Sequence, residues 1–171
     1  MKQKDLKVHI QYGKAYSFDK YDQKIIKELD FDARQTLADL APKVGLSRDA
    51  IKYRIKRLMD QKVILGFVPT YNPPSMGYPI INYVLISLYN PNEKEETELF
   101  DFLTTNKNVT YVARLIGKWD FILGIMAKNP GEFDSILREV RHKFPQLIKD
   151  YEVYGVLQEY NYEGIGKLIY G

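Results

Sequence analysis

The sequence predicts an α+β protein, in which a winged helix-turn-helix domain is followed by a ferredoxin-like βαββαβ domain. Charge is the first observation: residues 1–72 carry 15 Lys/Arg against 9 Asp/Glu, a balance of +6, while residues 73–171 carry 10 against 13, a balance of −3. A break is the second. "PTYNPPSMGYP", residues 69–79, holds Pro69, Pro73, Pro74 and Pro79, and proline removes an amide donor and constrains the residue before it. The third is periodicity, helical before that break and mixed strand and helix after it.

In "SFDKYDQKIIKELDFD", Ser17 or Asp19 can cap a first helix whose apolar stripe is Ile25, Ile26 and Leu29. Thr36 caps a short second helix from Leu37 to about Lys43, and Gly45 can end it in a left-handed conformation. Ser47 caps a third helix running through about Gln61, with Asp49 in its positive first turn. Two helices joined by a short turn containing glycine make a helix-turn-helix. "VILGFVPTY", which follows, is β-branched and aromatic and predicts a wing or a connecting strand.

Placed on a wheel at about 100° per residue, the third helix turns Ile51, Ile55 and Leu58 to one side. Asp49, Lys52, Tyr53, Lys56 and Arg57 occupy the other. Residues 43–62 hold seven basic side chains (Lys43, Arg48, Lys52, Arg54, Lys56, Arg57 and Lys62) against Asp49 and Asp60. A solvated helix more often mixes signs at i, i+4, whereas Lys52, Lys56 and Arg57 are expected to have only Asp49 nearby. Unpaired cations beside an exposed aromatic predict an anionic partner, double-stranded DNA. The candidate DNA-binding residues are Ser47, Arg48, Asp49, Lys52, Tyr53, Lys56 and Arg57. A merely solvated basic face competes with that reading, and Arg54, beside the apolar stripe, is assigned a structural role.

After the break, "YPIINYVLISLYN" reads as a strand and "NEKEETELFDFLTTN" as a helix with Leu99, Phe102 and Leu103 on one face. "VTYVARLIG" and "DFILGIMAKN" are two more strands. "GEFDSILREVRHKF" spaces Phe133, Ile136, Leu137, Val140 and Phe144 as a helix does, and "IKDYEVYGVLQEYN" is the last strand. The first strand is apolar on both faces, Tyr83, Leu85 and Tyr89 against Val84, Ile86 and Leu88. Two helices cover one face of such a sheet, so the other predicts a partner, at least a homodimer.

Several classes are disfavoured. The chain has no cysteine and only His9 and His142, far apart, so neither a metal site nor another cofactor is expected. No apolar run approaches the roughly 18 residues of a membrane span, and "MKQKDLKVHI" lacks a signal-peptide core. A cytoplasmic protein is expected.

The stretch "YDQKIIKELDFDARQTLADLAPKVGLSRDAIKYRIKRLMDQKVILGF" resembles the DNA-binding half of the leucine-responsive (Lrp/AsnC) transcription regulators, with their Asp-containing first helix, "VGLS" turn, basic third helix and closing "Val-Ile-x-Gly-Phe". Residues of about 80–161 resemble the ligand-binding half of that family, the RAM domain. The resemblance implies a sequence-specific, non-enzymatic transcription regulator modulated by a small amino acid or related metabolite, with sheets that pair across a dimer and dimers that assemble further. It places the effector at "GKWD", Gly117, Lys118, Trp119 and Asp120. There Gly117 would let backbone amides approach a carboxylate, and Asp120 would hold an α-ammonium group. A plain hairpin turn with Asp120 accepting local amides competes with this. Siroheme decarboxylases resemble the same architecture, but they carry a His-Asn-Tyr run, and "VTYVARLIGKWDFILGIM" has no histidine. An amino-acid sensor without DNA binding is a further alternative. The organisation is then an extension at 1–18, where Val8, Ile10 and Tyr12 alternate, a helix-turn-helix domain at 19–68, a linker at 69–79, a RAM domain at 80–161 and a tail at 162–171.

Overall fold

A computed structural model describes residues 14–160 and 165–170; the alternation at Val8, Ile10 and Tyr12 lies outside these. The chain divides into two units, residues 1–69 with 161–171, and residues 70–160.

The first unit is built on α1 (Lys20–Phe31), α2 (Leu37–Val44) and α3 (Arg48–Asp60). Each helix starts at a side chain that satisfies its orphan amides. Asp19, not Ser17, caps α1, where its Oδ1 accepts from the amides of Tyr21 and Asp22 at 2.8 and 2.9 Å. Thr36 and Asp39 form a reciprocal box at α2, and Ser47 caps α3. Gly45, at φ +80°, ends α2 and turns the chain into α3. Ile25, Leu40, Val44, Ile51 and Leu58 form the core, none more than 1% exposed.

Residues 63–71, expected to form a wing or connecting strand, form neither helix nor strand. Lys62 adopts φ +57°, and the amides of Val63 and Ile64 both donate to the Leu58 carbonyl, at 2.9 and 3.2 Å. Those amides close the end of α3 and are lost to any strand ladder, while the two side chains pack on the three-helix core.

The second unit opens with a single 3-10 turn at Pro74–Met76 and continues β1 (Ile80–Leu88), α4 (Glu93–Thr105), β2 (Val109–Arg114), β3 (Phe121–Ala127), α5 (Pro130–Lys143) and β4 (Ile148–Gly155). The strands lie in the order β2-β3-β1-β4, every pair antiparallel. Val84 stands opposite Leu123 on one side and Val153 on the other. On the helix-covered face, Val84, Ile86, Phe121, Leu123 and Ile125 meet Leu99 and Leu103 of α4 and Ile136, Leu137 and Val140 of α5. Among the described residues of this unit, no helix packs on the opposite face. It carries exposed Tyr83, Tyr111 and Tyr154 around half-buried Leu85, Ile122 and Met126.

The tail, set apart by sequence, groups with the first unit through α6 (Lys167–Tyr170), where the Tyr170 hydroxyl donates to Asp30 at 3.0 Å.

Candidate nucleic-acid interface

The predicted residues of α3 fall into three groups. Ser47 and Asp49 shape the helix start: the Ser47 Oγ accepts the Ala50 amide at 3.3 Å, and Asp49 lies in the first turn among amides that point outward. Arg48, Lys52 and Tyr53 are exposed, Tyr53 at 66%, and no carboxylate among the described residues pairs with either cation. With Ile51 and Leu58 fully buried behind them, they are held on a rigid edge.

Lys56 and Arg57 correct the expectation that these cations lack partners. Lys56 Nζ lies 2.5 Å from Asp60 one turn on, an exposed pair worth at most about 1 kcal/mol, which a phosphate can displace. Arg57 is held more firmly. Its Nη2 donates to both oxygens of Asp22, at 3.1 and 2.8 Å, and Asp22 is only 1% exposed.

Asp22 is the hub of a network joining α1 to α3. Arg54 Nη1 donates to Asp22 at 2.8 Å and to Asp19 at 2.7 Å, and the Tyr16 hydroxyl donates to Asp22 at 3.3 Å. The guanidinium of Arg54 stacks 5.2 Å from the Tyr21 ring, and that of Arg57 5.8 Å from the Tyr16 ring. Bonding to Asp19, and then to Asp22, strengthens the hold of Arg54 on its proton. Burial, reinforced by the Asp22 charge, pushes the Tyr16 hydroxyl up. Burial also opposes ionisation of Asp19, yet bonds from the Asp22 amide, Arg54 and the Tyr21 amide outweigh it and hold that carboxyl below its ordinary value.

The second candidate site, between β2 and β3, is an exposed turn. Gly117 sits at φ +143°, which side chains rarely adopt. Lys118 Nζ lies 3.2 Å from Glu152 of β4 and 4.5 Å from the centre of the Trp119 ring. Asp120 ties the turn to β1: its amide donates to the Ile86 carbonyl at 2.9 Å and its Oδ2 accepts the Leu88 amide at 2.7 Å. The amide that Asp120 accepts belongs to β1 and not to the turn itself, and it commits one of the two carboxylate oxygens. Glu152 was missed by sequence reasoning. The Tyr154 hydroxyl, and then Lys118, hold its carboxyl below the ordinary range, and that carboxylate in turn pushes Tyr154 up. Its signal was an acid two residues before Tyr154 in "YEVY", the spacing that puts both side chains on one face of a strand.

Residues 18–59 match the AsnC-type helix-turn-helix domain. An HTH-type transcriptional regulator of Pyrococcus horikoshii is 31% identical over 128 residues, covering 72% of this chain and 85% of that protein. The chain belongs to the Lrp/AsnC family of transcriptional regulators. A second relative, the proline dehydrogenase transcriptional activator of Rhizobium radiobacter, is 28% identical over 152 residues, 89% of this chain and 97% of that protein. The fold extends the likeness through the sheet: a transcriptional regulator of Neisseria meningitidis, solved as an L-Met complex, superposes with a TM-score of 0.75 at 21% identity over 86% of this chain and 94% of that one.

As a family member the chain is a DNA-binding transcriptional regulator. Among the regulator's described residues, no group of three His, Cys, Asp or Glu is placed to hold a metal, and no helix is long and apolar enough to cross a membrane.

Proposed function

We propose that this regulator reads duplex DNA with the Arg48, Lys52 and Tyr53 edge of α3, while Lys56 contacts phosphate and the helix start at Ser47 and Asp49 abuts the backbone. The observation that carries this is the pair of exposed cations, without an ion-pair partner among the described residues, beside an exposed aromatic on a helix whose other face buries Ile51 and Leu58. Such a helix fits the major groove, where cations reach guanine and phosphate alike. The regulator acts as a homodimer without catalysis of its own, and a chromosomal ligand gives it a cytoplasmic workplace. The dimer covers the tyrosine-rich sheet face, so two heads meet two half-sites about one helical turn apart.

Two heads with three cations each bring about six positive charges against the duplex and displace a like number of its counterions, so affinity of the full chain for a duplex selected from a random pool is expected to fall roughly a thousandfold between 50 and 200 mM salt. Affinity that stays level across that range in a fluorescence titration would overturn the reading.

Regulation follows from a small amino acid bound at the Gly117–Asp120 turn, as the Neisseria relative was solved with L-Met. Backbone amides near Gly117 receive the carboxylate, and the Asp120 oxygen not bound to Leu88 receives the ammonium. An amino acid at a hundredfold excess over its Kd is expected to stabilise the regulator by about 2.7 kcal/mol, read as a rise in melting temperature. Asp120→Ala, which also gives up the bond to Leu88, should melt lower and lose the response. A response that survives the substitution refutes the role of Asp120.

A further inference from the structure

α3 carries five cations from Arg48 to Arg57, and the structure leaves only some of them on the outer edge. Arg54 and Arg57 lean back onto the start of α1, where Asp19 and Asp22 meet them with equal and opposite charge. Arg57 stays there with its Nε buried and without a hydrogen-bond partner. An orphaned buried donor is unfavourable, so it is the Asp22 carboxylate, and not a complete set of bonds, that keeps this side chain in place.

We infer that Asp22, backed by Asp19, is a specificity-determining residue of the DNA-reading head: an internal counter-anion that keeps Arg54 and Arg57 off the phosphate backbone and leaves discrimination to Arg48, Lys52 and Tyr53. The inference rests on the DNA reading of α3 above. Phosphate contacts raise affinity for every sequence alike, and only contacts to base edges separate one sequence from another. A head with all five cations free would bind any duplex more tightly and distinguish duplexes less well. Neutralising two of them internally lowers the common background while sparing the edge that reads bases.

A merely structural role for Asp22 makes the opposite prediction. If the network served only to hold α3 against α1, breaking it would weaken binding to all DNA. The two roles therefore differ in sign on unrelated sequence.

The test compares the full chain with Asp22→Asn and Asp19→Asn, the second chosen because asparagine is as good a helix cap as aspartate. Each protein is titrated, over a salt series, with the selected duplex and with an unrelated duplex of equal length. Asp22→Asn is expected to bind the unrelated duplex about fivefold more tightly near 100 mM salt, with a salt slope steeper by about 0.9 for each phosphate gained, and to show a smaller ratio between the two duplexes. Asp19→Asn, which leaves Asp22 in place, should move the same way by less, and adding Arg54→Gln to it should restore the wild-type background. If Asp22→Asn does not fold, the Asp19→Asn series decides alone. Folded variants that bind the unrelated duplex no more tightly than wild type overturn the inference. A wild-type chain that binds neither duplex overturns the DNA reading, and the inference with it.

Discussion

Ile122→Glu is expected to convert the regulator from a dimer to a folded monomer. Ile122 lies near the start of β3 on the uncovered sheet face, between Leu85 on β1 and Ala113 on β2. It is half-buried within one protomer, so a glutamate there can stay solvated and the fold survives. At an interface between two such faces the same carboxylate is shut off from water, and Lys118, which reaches this face, is already paired with Glu152. Burying an unpaired charge costs several kcal/mol, and a symmetric interface incurs that cost twice. At about 1.4 kcal/mol per factor of ten, the dimer should weaken at least a hundredfold. Light scattering at micromolar concentration should show a dimer for wild type and a monomer for the variant. A wild-type monomer would refute the dimer, and a dimer indifferent to the substitution would place the interface elsewhere.

The double variant Arg48→Ala, Lys52→Ala should lose DNA binding while remaining folded. Both side chains are exposed and form no ion pair among the described residues, and surface substitutions of that kind usually change stability by no more than about 0.5 kcal/mol. Arg48 even sits at the positive end of α3, where removing a cation is mildly favourable. Each contact to a base edge is worth about 1–3 kcal/mol, so losing two should weaken the selected complex a hundredfold or more. Lys56→Ala alone should weaken binding on every sequence by a similar, smaller factor, as a phosphate contact does. A folded double variant that binds the selected duplex as wild type does would remove α3 from the interface.

What could be read from the sequence was what neighbouring residues determine. Asp19, Thr36 and Ser47 lie beside the amides they cap, and Gly45 acts on its own dihedral angle, so the three helices followed from local chemistry. The apolar spacing of Leu99 and Leu103, and of Ile136, Leu137 and Val140, likewise placed α4 and α5 on one face of the sheet. Arg57 could not be placed that way. Its partner Asp22 lies 35 residues back, and a helical wheel shows only the residues of its own helix. Asp120 and the Leu88 amide, 32 residues apart, were hidden for the same reason. The pair between Lys56 and Asp60 is different: its i, i+4 spacing made it legible, and the expectation that only Asp49 lay nearby overlooked it. The expected wing failed on hydrogen bonding, since β-branched composition does not make a strand when the amides of Val63 and Ile64 already serve the end of α3.

That the exposed edge of α3 meets base edges is tested most directly by a photo-crosslinking amino acid in place of Tyr53, irradiated with the full chain bound to its selected duplex. The expected result is a covalent adduct to a base within each half-site. A complex that forms with wild-type affinity yet yields no DNA adduct from position 53 would contradict it.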